Sequence, residues 1–184
     1  THLLSSAASD VYKRQGVLES PNLTTLVHDL ALLHSLGVRL VLVHATREAI
    51  DSALPSDHPV VFREGIRVTD DLTLAAASDV AARQRVQLER LLSMGLPNTP
   101  LKDAHIRVMA GNVLTAKPIG IREGVDHLHS GTVRKIDKEG VQAILNNDAI
   151  ALISPLGYSP AGELFSISAS DAAEAVAVAI GPKT

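Results

Sequence analysis

The stretch Leu36–Asp51 reads LGVRLVLVHATREAID and carries the clearest indication of the fold. Residues 38–43 form an aliphatic run that only Arg39 interrupts. Because β-branched side chains favour extended backbone, this run predicts an interior strand that is buried on both faces. Helical spacing follows over 47–54, and Thr46 stands where its hydroxyl can cap that helix. A buried strand that leads directly into a helix is the unit of an open α/β sheet.

The loop between this strand and this helix is the first candidate site. Ligands of open α/β sheets bind beyond the carboxyl ends of the strands. In this chain that position is held by His44, Ala45, Thr46 and Arg47. The alternative is a strand–loop–helix joint without a ligand, and these four residues taken alone favour that alternative.

Helices and strands alternate along the rest of the chain. A helix begins at Ser20–Asn22 and ends at Gly37, a hairpin turns at Glu64–Gly65, and a long helix runs from Asp70 to about Met94 with Thr69 or Asp70 as its cap. Further on, the patterns predict strands over 105–110, 113–118, 131–136, 149–153 and 164–167, turns over 111–112, 120–124 and 156–160, and helices over 137–145 and 170–180. This order predicts an α/β fold, a three-layer α/β/α sandwich with a β-hairpin-rich insertion at about 104–136.

The amino-acid composition excludes several classes of function. The 184 residues suffice for one domain, and 46% hydrophobic with 2% aromatic residues predicts an aliphatic core. A net charge of −3 gives no electrostatic case for nucleic acid, and no apolar run approaches the roughly 20 residues that span a membrane. The absence of cysteine excludes disulfides, thiolate catalysis and cysteine-bound zinc, and it fits a cytoplasmic protein.

Two histidines invite a metal hypothesis. His127 and His129 are two residues apart and would lie on one side of an extended strand. No H-E-x-x-H motif occurs, and no carboxylate follows them at helical ligand spacing. The sequence therefore predicts surface or hairpin histidines and no metal site. The common phosphate-binding motifs and the G-x-S-x-G elbow are also absent, so we expect no catalytic residues in this chain.

The segment GIRVTD supplies the best local candidate for ligand binding. It places Gly65, Arg67 and Thr69 at a strand end, directly before a helix begins. A guanidinium offers a planar pair of donors for a carboxylate, and the start of a helix adds backbone N–H groups. Together these groups predict a site for an amino-acid carboxylate. The alternative, which these residues favour slightly, is a structural ion pair between Arg67 and an aspartate, with Thr69 as a helix cap.

Several blocks of the sequence carry a family resemblance. They are DLALLHSLGVRLVLVHATREAID, GIRVTD, LSMGLPNTPL and the stretch from Gly111 to Asp137. In this order they resemble the amino acid kinase family, and within it the amino-terminal domains of bacterial N-acetylglutamate synthases. GIRVTD is shared with acetylglutamate kinases, whereas the blocks at 93–101 and 111–137 are associated with the synthases.

The resemblance implies the following expectations. The complete enzyme transfers acetyl from acetyl-CoA to L-glutamate, the first step of arginine biosynthesis, and L-arginine is its effector. A separate GNAT domain, absent from this chain, performs the transfer. The kinase-like domain regulates the enzyme without cofactor or catalysis and forms homo-oligomer contacts. Residues 16–184 are then a partial kinase-like domain, truncated at both ends, and residues 1–15 a foreign or disordered leader.

Two other functions stay open. One is an acetylglutamate kinase that uses ATP and magnesium, and the other is a non-catalytic amino-acid-binding module. Ser168–Asp171 replaces the Asn-x-Asp signature of a kinase, and His44–Thr46 replaces its glycine-rich loop. Because phosphoryl transfer depends on such groups, the sequence favours the synthase over the kinase.

Overall fold

The computed structural model describes residues 23–94 and 106–181. The expectations for residues 1–15, for the helix start at Ser20–Asn22, for the break at 95–100 and for His105 lie outside these ranges. The described residues form five helices and eleven strands. They are α1 Leu23–Ser35, β1 Val41–Val43, α2 Arg47–Ala53, β2 Phe62–Arg63, β3 Ile66–Arg67, α3 Asp71–Leu92, β4 Arg107–Ala110, β5 Leu114–Pro118, β6 Ile121–Arg122, β7 Val125–Asp126, β8 Gly131–Ile136, α4 Lys138–Asn146, β9 Ala149–Ile153, β10 Leu156–Tyr158, β11 Leu164–Ser166 and α5 Ala169–Ile180.

A parallel sheet with strand order β1-β9-β4 forms the middle layer. All five residues of β9 are buried, and they point alternately to the two sides. Ile150 and Leu152 join an apolar cluster with α1 and α3, whereas Ala151 and Ile153 join a second cluster with α4 and α5. Helices therefore cover both faces of this sheet, which confirms the predicted three-layer α/β/α fold.

The first strand of the parallel sheet is shorter than predicted. Its extended part is Val41–Val43, and among the described residues it pairs with β9. It is covered on both faces, because Leu40 and Leu42 belong to one apolar cluster while Val41 and Val43 pack on the other. The aliphatic run therefore predicted the burial of this strand on both faces correctly.

A second sheet, with order β11-β10-β5-β8, contains two strands of the predicted insertion, β5 and β8, together with two strands that follow β9. Its strand β10 falls in the stretch predicted to be a turn. Gly157 suggested that turn, but it lies inside the sheet, where a Cβ atom would come within 2.6 Å of Cβ of Ala116. The glycine is required by the close approach of two strands, not by a change of direction.

Two small hairpins, β2–β3 and β6–β7, project from this framework. The first was predicted, whereas the stretch 120–124 was predicted only as a turn and in fact contributes to the second hairpin. An isolated bridge between Thr69 and Leu128 joins the two. Of the two residues predicted as the cap of α3, Asp70 holds that position, because its carboxylate accepts the N–H of Thr73, at 2.8 Å.

Candidate functional site

A cavity of about 410 Å³ lies beyond the carboxyl end of β1. Its walls come from five parts of the chain: the loop after β1 with the start of α2, the β2–β3 hairpin, the residues around the start of β6, the start of β8 and the start of α5. This is the position at which open α/β sheets bind ligands. The fold therefore brings together segments that are more than 100 residues apart in sequence.

Six of the seven predicted site residues line this cavity. They are Ala45, Thr46, Arg47, Gly65, Arg67 and Thr69. Thr46 is buried and occupies the N-cap position of α2, but among the described residues its hydroxyl makes no capping hydrogen bond, contrary to prediction. The structure thus shows that these residues are neighbours, and ligand binding by them stays a prediction.

His44, the seventh residue, does not line the cavity but lies behind its wall. Its Nδ1 is 3.0 Å from Oε1 of Gln84, and its Nε2 is 2.8 Å from Oγ of Ser154. Because an amide oxygen only accepts, Nδ1 carries the proton and the hydroxyl of Ser154 donates to Nε2. Burial lowers the pKa of His44 to about 4, against the opposing effect of the Gln84 hydrogen bond. His44 is therefore neutral at pH 7 and links the ends of β1 and β9 to helix α3.

Arg67 has a partner within the chain. Its guanidinium forms an ion pair with Asp51, which lies on α2, and it stacks on the ring of Phe62 with Cζ 4.9 Å from the ring centroid. The guanidinium of Arg47 also lies over that ring, at 5.4 Å. The side chain of Arg67 is 11% exposed and that of Asp51 is 38% exposed. The structural ion pair that the sequence left as an alternative is thus present, but Thr69 does not serve as the cap that was predicted with it.

The buried side chain of Ser130 links the region after the β6–β7 hairpin to the strand that carries Arg67. No pattern in the sequence predicted this role. Its Oγ accepts the N–H of Thr69 at 3.1 Å and lies 2.5 Å from the carbonyl oxygen of Arg67, so one buried hydroxyl fixes the strand that carries the arginine. The preceding segment is irregular, since Leu128 has φ +51°. His127, predicted to lie at the surface or in a hairpin, directly follows the β6–β7 hairpin and is fully buried, and its Nδ1 has no partner among the described residues.

The start of α5 closes the cavity on the remaining side. Ser168 occupies the N-cap position, Ser170 and Asp171 follow in the first turn, and all three line the cavity. The oxygens Oγ of Ser168 and Ser170 are 2.5 Å apart. Serines and an aspartate at this position were noticed in the sequence only as a departure from a kinase signature. Their nearness to Arg67 could not be inferred from spacing, because it depends on the packing of α5.

The charges around the cavity are mixed. Its walls carry Arg47, Arg67 and Arg122 together with Glu64 and Asp171. In the described part of the chain, no three histidines or carboxylates come close enough together to hold a metal ion. Nor does any described helix combine the length and the hydropathy needed to cross a membrane. The arrangement suits a small polar ligand that is bound through charge and hydrogen bonds.

Sequence comparison relates the chain to known enzymes. The chain is 44% identical over 165 residues to an amino-acid acetyltransferase of Pseudomonas fluorescens, and 45% identical over 162 residues to one of Azotobacter vinelandii. These alignments cover 89% and 88% of the chain, respectively, and 38% of each relative. The chain therefore spans about two fifths of the length of the curated relatives that it matches.

Comparison with solved structures also relates the chain to acetyl-transferring enzymes. N-acetylglutamate synthase from Neisseria gonorrhoeae, complexed with coenzyme A and L-arginine, superimposes with a TM-score of 0.83 and 33% identity, over 89% of this chain and 39% of that one. The same enzyme complexed with coenzyme A and N-acetyl-glutamate gives a TM-score of 0.79 and 31% identity, over 95% and 42% of the two chains. The model of the amino acid kinase family matches residues 3–184. On this match, and on the three-layer fold that carries the cavity, the chain belongs to the amino acid kinase family.

Proposed function

We propose that this chain is the regulatory part of an N-acetylglutamate synthase. In this proposal the complete enzyme transfers acetyl from acetyl-CoA to L-glutamate in the first step of arginine biosynthesis. The observation that carries the proposal is the identity of 44–45% to amino-acid acetyltransferases over nearly nine tenths of the chain. A cytoplasmic location and a homo-oligomeric assembly belong to the same proposal.

The site supports binding and not chemistry. His44 is the first residue of the predicted loop, but both of its ring nitrogens are engaged and it does not line the cavity. An imidazole in this position has no free nitrogen with which to accept a proton from a substrate in the cavity. Arginines, hydroxyl groups and the start of a helix line the cavity instead. We therefore infer that the cavity holds the carboxylate of an amino-acid ligand without changing it.

Activity measurements test this division of labour. The complete parent enzyme and the 184-residue chain are compared for acetyl transfer from acetyl-CoA to L-glutamate, with and without L-arginine. We expect transfer, and a response to L-arginine, only from the parent enzyme. Turnover by the chain alone would refute the proposal. ATP-dependent phosphorylation of N-acetyl-L-glutamate in the presence of magnesium would support the kinase alternative.

Replacement of Arg67 by lysine tests the site itself. Lysine keeps the charge but lacks the planar pair of donors, so Arg67→Lys should weaken the binding of L-glutamate and L-arginine severalfold while the melting temperature stays unchanged. Isothermal titration and thermal unfolding give the two values. The matched control is Arg63→Lys, on the neighbouring strand, where the side chain is exposed and donates to the carbonyl oxygen of Phe62. Parallel losses of binding and melting temperature in Arg67→Lys would favour a purely structural role.

A further inference from the structure

Arg67 lines the cavity, but its positive charge is already compensated by an ion pair with Asp51. Asp51 does not line the cavity, yet its carboxylate accepts a hydrogen bond from the guanidinium. With Asp51 included, the three arginines around the cavity are matched by three carboxylates. A ligand thus enters a site that carries little net charge, although arginine is its most frequent charged residue.

We propose that Asp51 determines which ligand charge the cavity accepts. This inference rests on the proposed ligand site and adds a specificity-determining residue to it. By compensating Arg67, Asp51 disfavours dianions such as N-acetyl-L-glutamate and favours ligands that carry their own positive charge. The relevant contrast lies between an amino acid with a free ammonium group and its acylated product, in which that ammonium group has become a neutral amide.

The position of Arg67 does not depend on Asp51 alone. The ring of Phe62 lies against the guanidinium plane, and Ser130 fixes the backbone of the same strand through the carbonyl oxygen of Arg67. The contact with Asp51 uses one terminal nitrogen of the guanidinium and one carboxylate oxygen. Loss of Asp51 therefore leaves the arginine in place with its charge uncompensated, which strengthens its attraction for anions.

The location of Asp51 agrees with such a role. It lies on α2, a helix of seven residues that begins at the cavity with Arg47. Its side chain remains 38% exposed, so solvent moderates the interaction and limits the effect to a change of preference. Glu48 lies on the same helix, is exposed, and forms no ion pair in the described chain. It is therefore the matched position for a control that removes the same charge.

The test compares the unmodified chain with Asp51→Asn and Glu48→Gln by isothermal titration. The probes are N-acetyl-L-glutamate, L-glutamate and L-arginine, whose net charges at pH 7.5 are about −2, −1 and +1. For Asp51→Asn we expect binding about tenfold tighter for N-acetyl-L-glutamate, about threefold tighter for L-glutamate and about threefold weaker for L-arginine. Glu48→Gln should change each value by less than about twofold.

The direction of the affinity change for each of the three probes distinguishes this proposal from a purely structural role of Asp51. If Asp51 only holds Arg67 in place, Asp51→Asn weakens all three ligands alike, and the proposal is overturned. Equal effects of Asp51→Asn and Glu48→Gln overturn it too, because the cause would then be the net charge of the chain. Failure of the parent enzyme to respond to L-arginine would instead refute the proposed function, whatever the ordering of the probes.

Discussion

Two walls of the cavity are held in place by different means. The strand-end wall consists of Ala45–Arg47 after β1, and behind it His44 is hydrogen-bonded in the interior. The hairpin wall consists of the lining residues of β2–β3 and β6–β7, which Ser130 and Thr69 join by backbone and hydroxyl hydrogen bonds. Burial fixes the first wall, whereas turn geometry and a few hydrogen bonds fix the second. The two walls should therefore respond differently to pH and to mutation.

We expect the largest change in the free energy of unfolding when acid protonates His44 behind the strand-end wall. His44 has a pKa of about 4 in the folded chain and about 6.5 when unfolded, so the unfolded state takes up the proton first as the pH falls. Stability is then fully present above about pH 6.5 and is lost between pH 6.5 and 4, by about 3 kcal/mol in total. Urea unfolding followed by circular dichroism at a series of pH values measures this loss.

The control for this prediction is the same pH series on two variants. His44→Gln should remove most of the slope between pH 6.5 and 4, whatever its effect at pH 7. His28→Gln changes an exposed histidine on α1 and should leave the slope as it is. If His44→Gln loses stability with acid as steeply as the unmodified chain, the buried histidine is not the cause.

A smaller effect is expected from the hairpin wall. Ser130→Ala removes a buried hydroxyl that bonds the N–H of Thr69 and lies against two acceptors, the carbonyl oxygen of Arg67 and Oγ1 of Thr69. The groups left without a partner should cost about 1–3 kcal/mol in the free energy of unfolding. The matched control is Ser52→Ala, whose exposed hydroxyl donates to the carbonyl oxygen of Glu48 within α2. Similar losses in both variants, measured by urea unfolding, would show that Ser130 does not join the hairpins.

The sequence predicted the parts of both walls that local patterns encode. The aliphatic run before His44 indicated a strand with a loop at its end that lines the cavity, and the glycine at 65 between two short extended runs indicated the first hairpin. The start of α3 was also evident, because an aspartate before a long helical pattern is a common cap. Each of these signals depends on neighbours within a few residues.

The remaining parts depend on contacts between distant segments. Nothing near Arg67 in sequence identifies Asp51 as its partner, and nothing near Ser130 shows that it is buried against Thr69. His127 was predicted to lie at the surface or in a hairpin, and nothing near it in sequence shows that it is fully buried beside the bridge between the two hairpins. Tertiary contacts, not local preference, decided these positions.

The smallest effect concerns the turns of the two hairpins, which are alike. Both contain Arg-Glu-Gly, and both place a glutamate in the left-handed region, with φ +51° at Glu64 and φ +47° at Glu123. Because asparagine tolerates this conformation better than glutamate, Glu64→Asn and Glu123→Asn should each raise the free energy of unfolding by about 0.5–1 kcal/mol.

Glu64→Ala removes the same charge but keeps the strained backbone, so it should give no gain. If Glu64→Ala stabilises the chain as much as Glu64→Asn in urea unfolding, the benefit comes from charge and not from the turn. Equal gains in the two asparagine variants would show that the hairpins share their turn energetics and differ only in what anchors them.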